Sequence, residues 1–285
     1  ILWTVELGQL KSKHGHGEGA SPVLFNDTIV VNWDHEGESF IVAIDKHSGR
    51  QQWKVARDEV TSWATPIVVP NGEKSQVVVS GTDRVRGYDL DTGDVIWECG
   101  GLSANIIASP VSSNGIVYVG SSYETRALMA IRIEGASGDI TDTDQVLWNR
   151  FQATPYVPSP LLYKGSLYVL RHYQGILSRV VAETGDEPTG PFRLGGIGNV
   201  YASPVAVSDR IYITDLDGAT IVIFGCGVEG KLVLHVMLSR GIKVDYFIDS
   251  NKKLQGKYFL GIKTISIDFG MGNYLYPNLI GLLEF

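Results

Sequence analysis

The sequence predicts an all-β fold: a partial β-propeller of about four to five four-stranded blades, followed by a short α/β, βαβ-type fragment. Three observations predict it. A (Ser/Thr)-Pro motif recurs with prolines at Pro22, Pro66, Pro110, Pro160 and Pro204, spaced by 44, 44, 50 and 44 residues. Each motif opens a run of short Val-, Ile- and Tyr-rich segments separated by polar turns. After Thr220 the repeat stops, and an apolar run leads into a glycine-rich signature of a different kind.

Within each unit the order of elements is constant. The motif, as in Ala20-Ser21-Pro22-Val23 or Ala108-Ser109-Pro110-Val111, starts a first strand. A second follows a polar turn, as in Thr28-Ile29-Val30-Val31 or Ile116-Val117-Tyr118-Val119. A third, such as Phe40 to Ile44 or Arg86 to Leu90, runs into an Asp-x-x-(Ser/Thr)-Gly turn at Asp45–Gly49 and Asp89–Gly93. Asp side chains bond nearby backbone amides and Gly accepts left-handed φ, so both residues suit a tight turn. The fourth strand ends in a large aromatic: Trp53, Trp97 and Trp148, with Trp3 in the same place before the first unit and Phe192 in the fourth. Four short strands every 40–50 residues is the arithmetic of a propeller blade. The tryptophans are expected to pack between neighbouring blades as core. The serines before the prolines repeat without a base beside them, so they read as strand-entry residues rather than nucleophiles.

These repeats resemble those of the quinoprotein-like (PQQ-like) β-propeller family, which includes BamB-type bacterial outer-membrane assembly proteins. The likeness rests on the Ser-Pro strand, the Asp-x-x-Thr-Gly turn and the closing Trp, and covers roughly residues 1–220. It implies a non-catalytic scaffold that binds a protein, peptide or glycan through its blade loops, in an extracytoplasmic setting. The alternative it implies is a quinoprotein oxidoreductase using PQQ. The vicinal Cys-Cys pair of the quinone-binding alcohol dehydrogenases is missing, so no cofactor is the first expectation.

From Ile221 to Phe224 an apolar strand runs into Gly225-Cys-Gly227-Val-Glu-Gly230, then an amphipathic segment stopped by Gly241. A second apolar strand, Val244 to Ile248, ends at Asp249. Gly225, Gly227, Gly230 and Asp249 are therefore candidates for a nucleotide: glycines for the tight turn and close phosphate approach, the acid for a ribose hydroxyl. The ordinary alternative is glycine used for packing alone. This stretch resembles the Rossmann-like N-terminal part of bacterial sugar O-acyltransferases of the PglD/sialic-acid type, which implies a nucleotide-sugar ligand. All six tryptophans lie before residue 221, and net charge changes from -9 over residues 1–220 to +2 over 221–285, summing to -7. The shift predicts two parts, 1–220 and 221–285, joined near Thr220–Ile221 as a chimera or truncated fusion.

Composition narrows the function classes. Hydrophobic residues make up 44% and charged residues 19%, a globular balance. A net charge of -7 leaves no basic footprint for nucleic acid. Two cysteines, Cys99 and Cys226, exclude a disulfide scaffold and a four-cysteine zinc site. No apolar run reaches the ~18–20 residues of a membrane-spanning helix. The opening Ile1-Leu2-Trp3 has neither initiator Met nor basic leader, so the sequence reads as a processed form or a piece. Candidate ligand-binding side chains are His16 and Glu18, with His14 beside them; Asp34 and His35, with Glu36, on the loop after a strand; and Arg57, Arg84 and Arg86, which are candidates to converge on an anion at one propeller face. Solvated loop residues are the ordinary reading of all of them, and metal-ligand spacing is missing.

Overall fold

The computed structural model describes residues 1–171, 175–188, 190–194, 197–207, 210–218 and 220–223, and the strand backbones at 246–248, 258–259 and 262–265. The chain divides into two compact units, Ile1–His172 with Ser178–Gly190, and Tyr173–Leu177 with Pro191–Phe285.

Each repeat folds as one antiparallel sheet. The first holds β1 (Val23–Phe25), β2 (Thr28–Trp33), β3 (Phe40–Asp45) and β4 (Gln51–Ala56) in that order. The second holds β5 (Ile67–Asn71), β6 (Lys74–Ser80), β7 (Arg84–Asp89) and β8 (Val95–Gly100). The third holds β9 (Val111–Ser113), β10 (Ile116–Ser121), β11 (Ala127–Arg132) and β13 (Val146–Arg150). The fourth runs β14 (Leu161–Tyr163), β15 (Ser166–Arg171), β16 (Ile176–Val181) and β17 (Phe192–Arg193). A fifth sheet has three strands: β18 (Val205–Val207), β19 (Arg210–Thr214) and β20 (Thr220–Ile223). Among these five sheets, sequential order is broken at β12 (Gly138–Asp139), which leaves the third repeat and pairs parallel with β8. That excursion accounts for the 50-residue spacing.

The middle strands are buried on both faces, β3 as Phe40–Ile44 and β11 as Ala127–Ile131, which is why they do not alternate. The (Ser/Thr)-Pro motifs form a ladder between blades. The Ser21 amide donates to Thr65 Oγ1 at 3.0 Å, Thr65 to Ser109 Oγ at 2.9 Å, and Ser109 to Ser159 Oγ at 2.9 Å. Each hydroxyl satisfies the amide of the preceding repeat, so the hydroxyl is retained for registration rather than chemistry.

The closing tryptophans behave in two ways. Trp3, Trp53 and Trp148 donate Nε1–H to the carbonyls of Lys46, Leu90 and Ala182 of the following blade, at 2.8, 2.8 and 2.9 Å. The turn glycine of that blade, Gly49, Gly93 or Gly185, lies flat on the indole, where a Cβ would meet ring atoms at 2.6–2.7 Å. These glycines have φ of +71°, +80° and +76°, so both conformation and space demand Gly. Trp97 lies in the core between the second and third blades, with Val117, Val119 and Met129, but it docks differently from the other three. It is fully buried and bonds Gln76 Oε1 of its own blade at 2.8 Å. Its cross-strand partner is Gly87, whereas Trp53 and Trp148 face Ala43 and Ala130. A Cβ on Gly87 would lie 2.3 Å from the Trp97 ring, so glycine lets this indole fold onto its own sheet.

The expected βαβ arrangement is not what the described strands show. β20, predicted to open it, pairs antiparallel with β19 as the third strand of a propeller sheet. An apolar strand beside a free β19 edge completes backbone hydrogen bonding there, which the run Ile221–Ile223 provides. β21 (Tyr246–Ile248) lies in a separate sheet, parallel to β23 (Ile262–Ile265) and joined by β22 (Tyr258–Phe259), which is antiparallel to β23. The predicted amphipathic helix falls outside the described residues.

Candidate functional site

Antiparallel strands put the β2–β3, β6–β7 and β10–β11 loops at the same end as the connections β4–β5 and β8–β9. At this loop end the junction of the first two blades holds a dense polar cluster. Asp34 follows β2, Arg57 and Glu59 follow β4, and Arg86 and Tyr88 lie on β7. Arg57 clamps Asp34 with Nε to Oδ1 at 2.7 Å and Nη2 to Oδ2 at 3.0 Å, and both side chains are fully buried. Its Nη1 donates to the Tyr88 hydroxyl. Ser62 Oγ and Asn32 Nδ2 donate to Asp34 Oδ2 at 2.6 and 3.1 Å. Arg86 reaches Glu59 Oε1 at 2.9 Å and Glu98 Oε2 at 3.2 Å, and also pairs with Asp58. Glu59 accepts the Thr82 amide at 2.6 Å.

Burial opposes the charge on Arg57, yet Asp34 and its neighbours outweigh it and hold its pKa above the ordinary arginine value. Burial pushes the Glu59 carboxyl up, against the pull of Arg57. It pushes the Tyr88 hydroxyl up as well. Asp58 is desolvated too, but its bond to Arg86 keeps it below the usual carboxylate range.

Arg57, Arg84 and Arg86 thus meet carboxylates. Arg84 shares Glu98 with Arg86, at 3.3 Å. Asp34, Asp58, Glu59 and Glu98 set four acids against three guanidiniums, one more negative than positive charge. The three arginines converge on protein carboxylates at this junction. His35 is equally committed: Nδ1 accepts the Lys11 amide at 3.4 Å and Nε2 faces the Glu38 carbonyl at 3.2 Å. With Asp34 spent on Arg57, neither residue is available to a metal. His16 and Glu18 are exposed on the connection before β1. No group of three or more metal-ligating side chains occurs among the described residues. Gly225, Gly227, Gly230 and Asp249 lie outside the described residues.

Residues that the sequence did not single out are Asp58, Glu59, Tyr88 and Glu98, the partners of the arginines, and an aromatic group on the same loop end. Tyr123, in the β10–β11 loop, stacks on Tyr156 with centroids 6.1 Å apart and planes at 13°. Phe151 stands nearby in sequence, on the connection after β13. Tyr123 is 47% and Phe151 65% exposed. Their signal is position: both fall in loop segments of the repeat, where nothing in the sheet needs an aromatic.

A family model described as "Outer membrane protein assembly factor BamB" matches residues 1–225. The chain belongs to this family. The match runs through β20, consistent with its place in a propeller sheet. The crystal structure of BamB from Moraxella catarrhalis aligns with a TM-score of 0.50 at 17% identity, covering 72% of this chain and 57% of that one. The chain therefore spans little more than half of that protein's length. A europium-containing methanol dehydrogenase aligns with a TM-score of 0.42 at 20% identity, over 62% of this chain and 42% of that one. The BamB likeness establishes the fold alone. No curated protein sequence matches the chain. The assigned fold is a PQQ-like β-propeller, and no helix among the described residues is long and apolar enough to cross a membrane.

Proposed function

We propose that the chain is a non-catalytic propeller scaffold that holds a protein partner through its blade loops, outside the cytoplasm. The observation that carries this reading is the pair of exposed aromatics at the loop end, Tyr123 and Phe151. Interfaces draw on Tyr, Phe and Trp for large contact area at low entropic cost. The arginines of the first blade junction are paired with carboxylates inside the fold, so the exposed aromatics, with the exposed Glu124 and Arg126 of the same loop, supply contact chemistry at this end. Membership of a family described as an outer-membrane assembly factor supports a protein over a glycan, and supports the extracytoplasmic setting.

A photoreactive amino acid placed at Tyr123 or Phe151 in exported protein tests it. The expected result is a discrete protein adduct from these positions and none from Ser113, exposed on the opposite β9–β10 hairpin. Equal labelling from all three positions sinks the loop-end assignment. Dye reduction or a visible absorbance change on adding PQQ with Ca2+ would overturn the non-catalytic part.

A further inference from the structure

We infer that His14 and His16 form a two-imidazole site for a late divalent transition-metal ion, with Cu2+ the best fit. Their ring centroids lie 5.8 Å apart with planes tilted by 59°. Metal–nitrogen bonds of about 2.0–2.1 Å place two imidazole centroids on one ion roughly 4.5 Å apart when cis and roughly 6.3 Å apart when trans, and the observed separation lies inside that span. Imidazole suits Cu2+ and Zn2+, and affinity peaks at Cu2+ along the first-row series.

The segment is held in place rather than loose. His14 sits in a short 3-10 turn at φ +59°, a left-handed position that turns the chain between the two histidines. On one side the Lys13 amide donates to Thr61 Oγ1 at 2.9 Å. On the other the Gly17 amide donates to Ser12 Oγ at 2.8 Å, and the Gly17 carbonyl accepts Trp63 Nε1–H at 3.0 Å. Gly19 lies on the same indole, where a Cβ would approach to 2.6 Å. The two rings are exposed, and neither takes part in a hydrogen bond among the described residues. That separates them from His35, with both nitrogens engaged, and from His47, which faces Asp27 at 3.2 Å. Glu36 adds a carboxylate on the loop that holds the turn: its Oε1 accepts from the Thr61 hydroxyl at 2.7 Å and from the Thr61 amide at 3.2 Å. Water completes the coordination, as two protein ligands leave positions open.

His16 also lies 6.2 Å from the Trp63 ring, so a bound Cu2+ is expected to quench Trp63. The test is Cu2+ titration of the full chain, followed by fluorescence and by electron paramagnetic resonance. Expected are one tight equivalent, nitrogen splitting from two imidazoles, and quenching that Trp63→Phe removes. His14→Asn, which tolerates the left-handed turn, and His16→Gln should each weaken binding at least fivefold, while His47→Gln leaves it unchanged. A loss smaller than fivefold in either variant overturns the site. Should a variant fail to fold, the wild-type spectrum decides: two imidazole nitrogens support the site, and one or none removes it.

Discussion

The junction between the first and second blades and the junction between the second and third perform the same tasks with different chemistry. At the first, Trp53 docks across the gap on the Leu90 carbonyl and Gly93. At the second, Trp97 turns back over Gly87, and β12 covers β8 instead. At the first, the carboxylate of Glu59 accepts the Thr82 amide of the next loop. Forty-four residues later, Ser103 Oγ accepts the Glu124 and Thr125 amides at 2.8 and 3.2 Å. A repeat position therefore fixes the task, capping the next blade's loop, but not the residue type. Using a carboxylate brings a charge into a dry place, and Arg57, Arg86, Asp34 and Asp58 follow from it. The neutral junction needs none of them.

The largest expected effect breaks the ionic junction. Arg57→Ala strands buried Asp34 and removes a donor from Tyr88. Removing one partner of a buried pair costs about 3–5 kcal/mol. Ser103→Ala leaves two loop amides without their acceptor, a loss of about 1–3 kcal/mol. Urea unfolding midpoints of the two variants measure the gap. Equal losses would mean that the charges add nothing beyond capping, and the contrast between the junctions would dissolve.

The tryptophan contrast sharpens next. Gly87→Ala drives the indole of Trp97 off its own sheet, where the third blade offers no Asp-x-x-Thr-Gly turn to receive it. Overpacking of this kind costs about 1–3 kcal/mol. The expected readout is a lower midpoint together with red-shifted emission as Trp97 meets water. Ala43→Gly, opposite Trp53, should cost only about 0.5–1 kcal/mol, the ordinary penalty of glycine in a strand, with no spectral shift. An unshifted Gly87→Ala spectrum would show that Trp97 has room elsewhere.

These contrasts also mark how far the sequence could be read. The blades were legible because period, Pro, turn Gly and Trp are local signals, each forced by backbone geometry. The exception at Trp97 was written in Gly87, yet it becomes visible only once strand register sets that glycine opposite the indole. Arg57, Arg84 and Arg86 stood out as cations, but their partners Asp34, Asp58 and Glu98 lie on other strands and connections. Spacing along the chain alone does not show which strands and connections such pairs join. Nor did the run Ile221–Ile223 disclose its sheet, since an apolar strand suits either a βαβ unit or a blade edge.

The smallest expected effect is a pH dependence confined to the ionic junction. Burial raises the Glu59 pKa from its ordinary 4.5. Between that value and the raised one, the folded state keeps a proton that the unfolded state has released. The stability tied to this proton is complete below 4.5 and disappears as pH rises through the folded value. Asp58 runs the other way, with a lowered pKa whose contribution fades only as pH falls below 3.8, so measurements from pH 4.5 upward leave it out. Glu59→Gln cannot ionise. Its unfolding midpoint should therefore gain on that of the wild type as pH rises, by much less than the Arg57→Ala loss. The Ser103→Ala difference should stay flat, because no titrating group replaces or leaves that junction. If the wild type instead gains on Glu59→Gln with rising pH, Arg57 and Arg86 stabilise the ionised carboxylate by more than its burial costs, and the first junction holds its charge at a profit to stability.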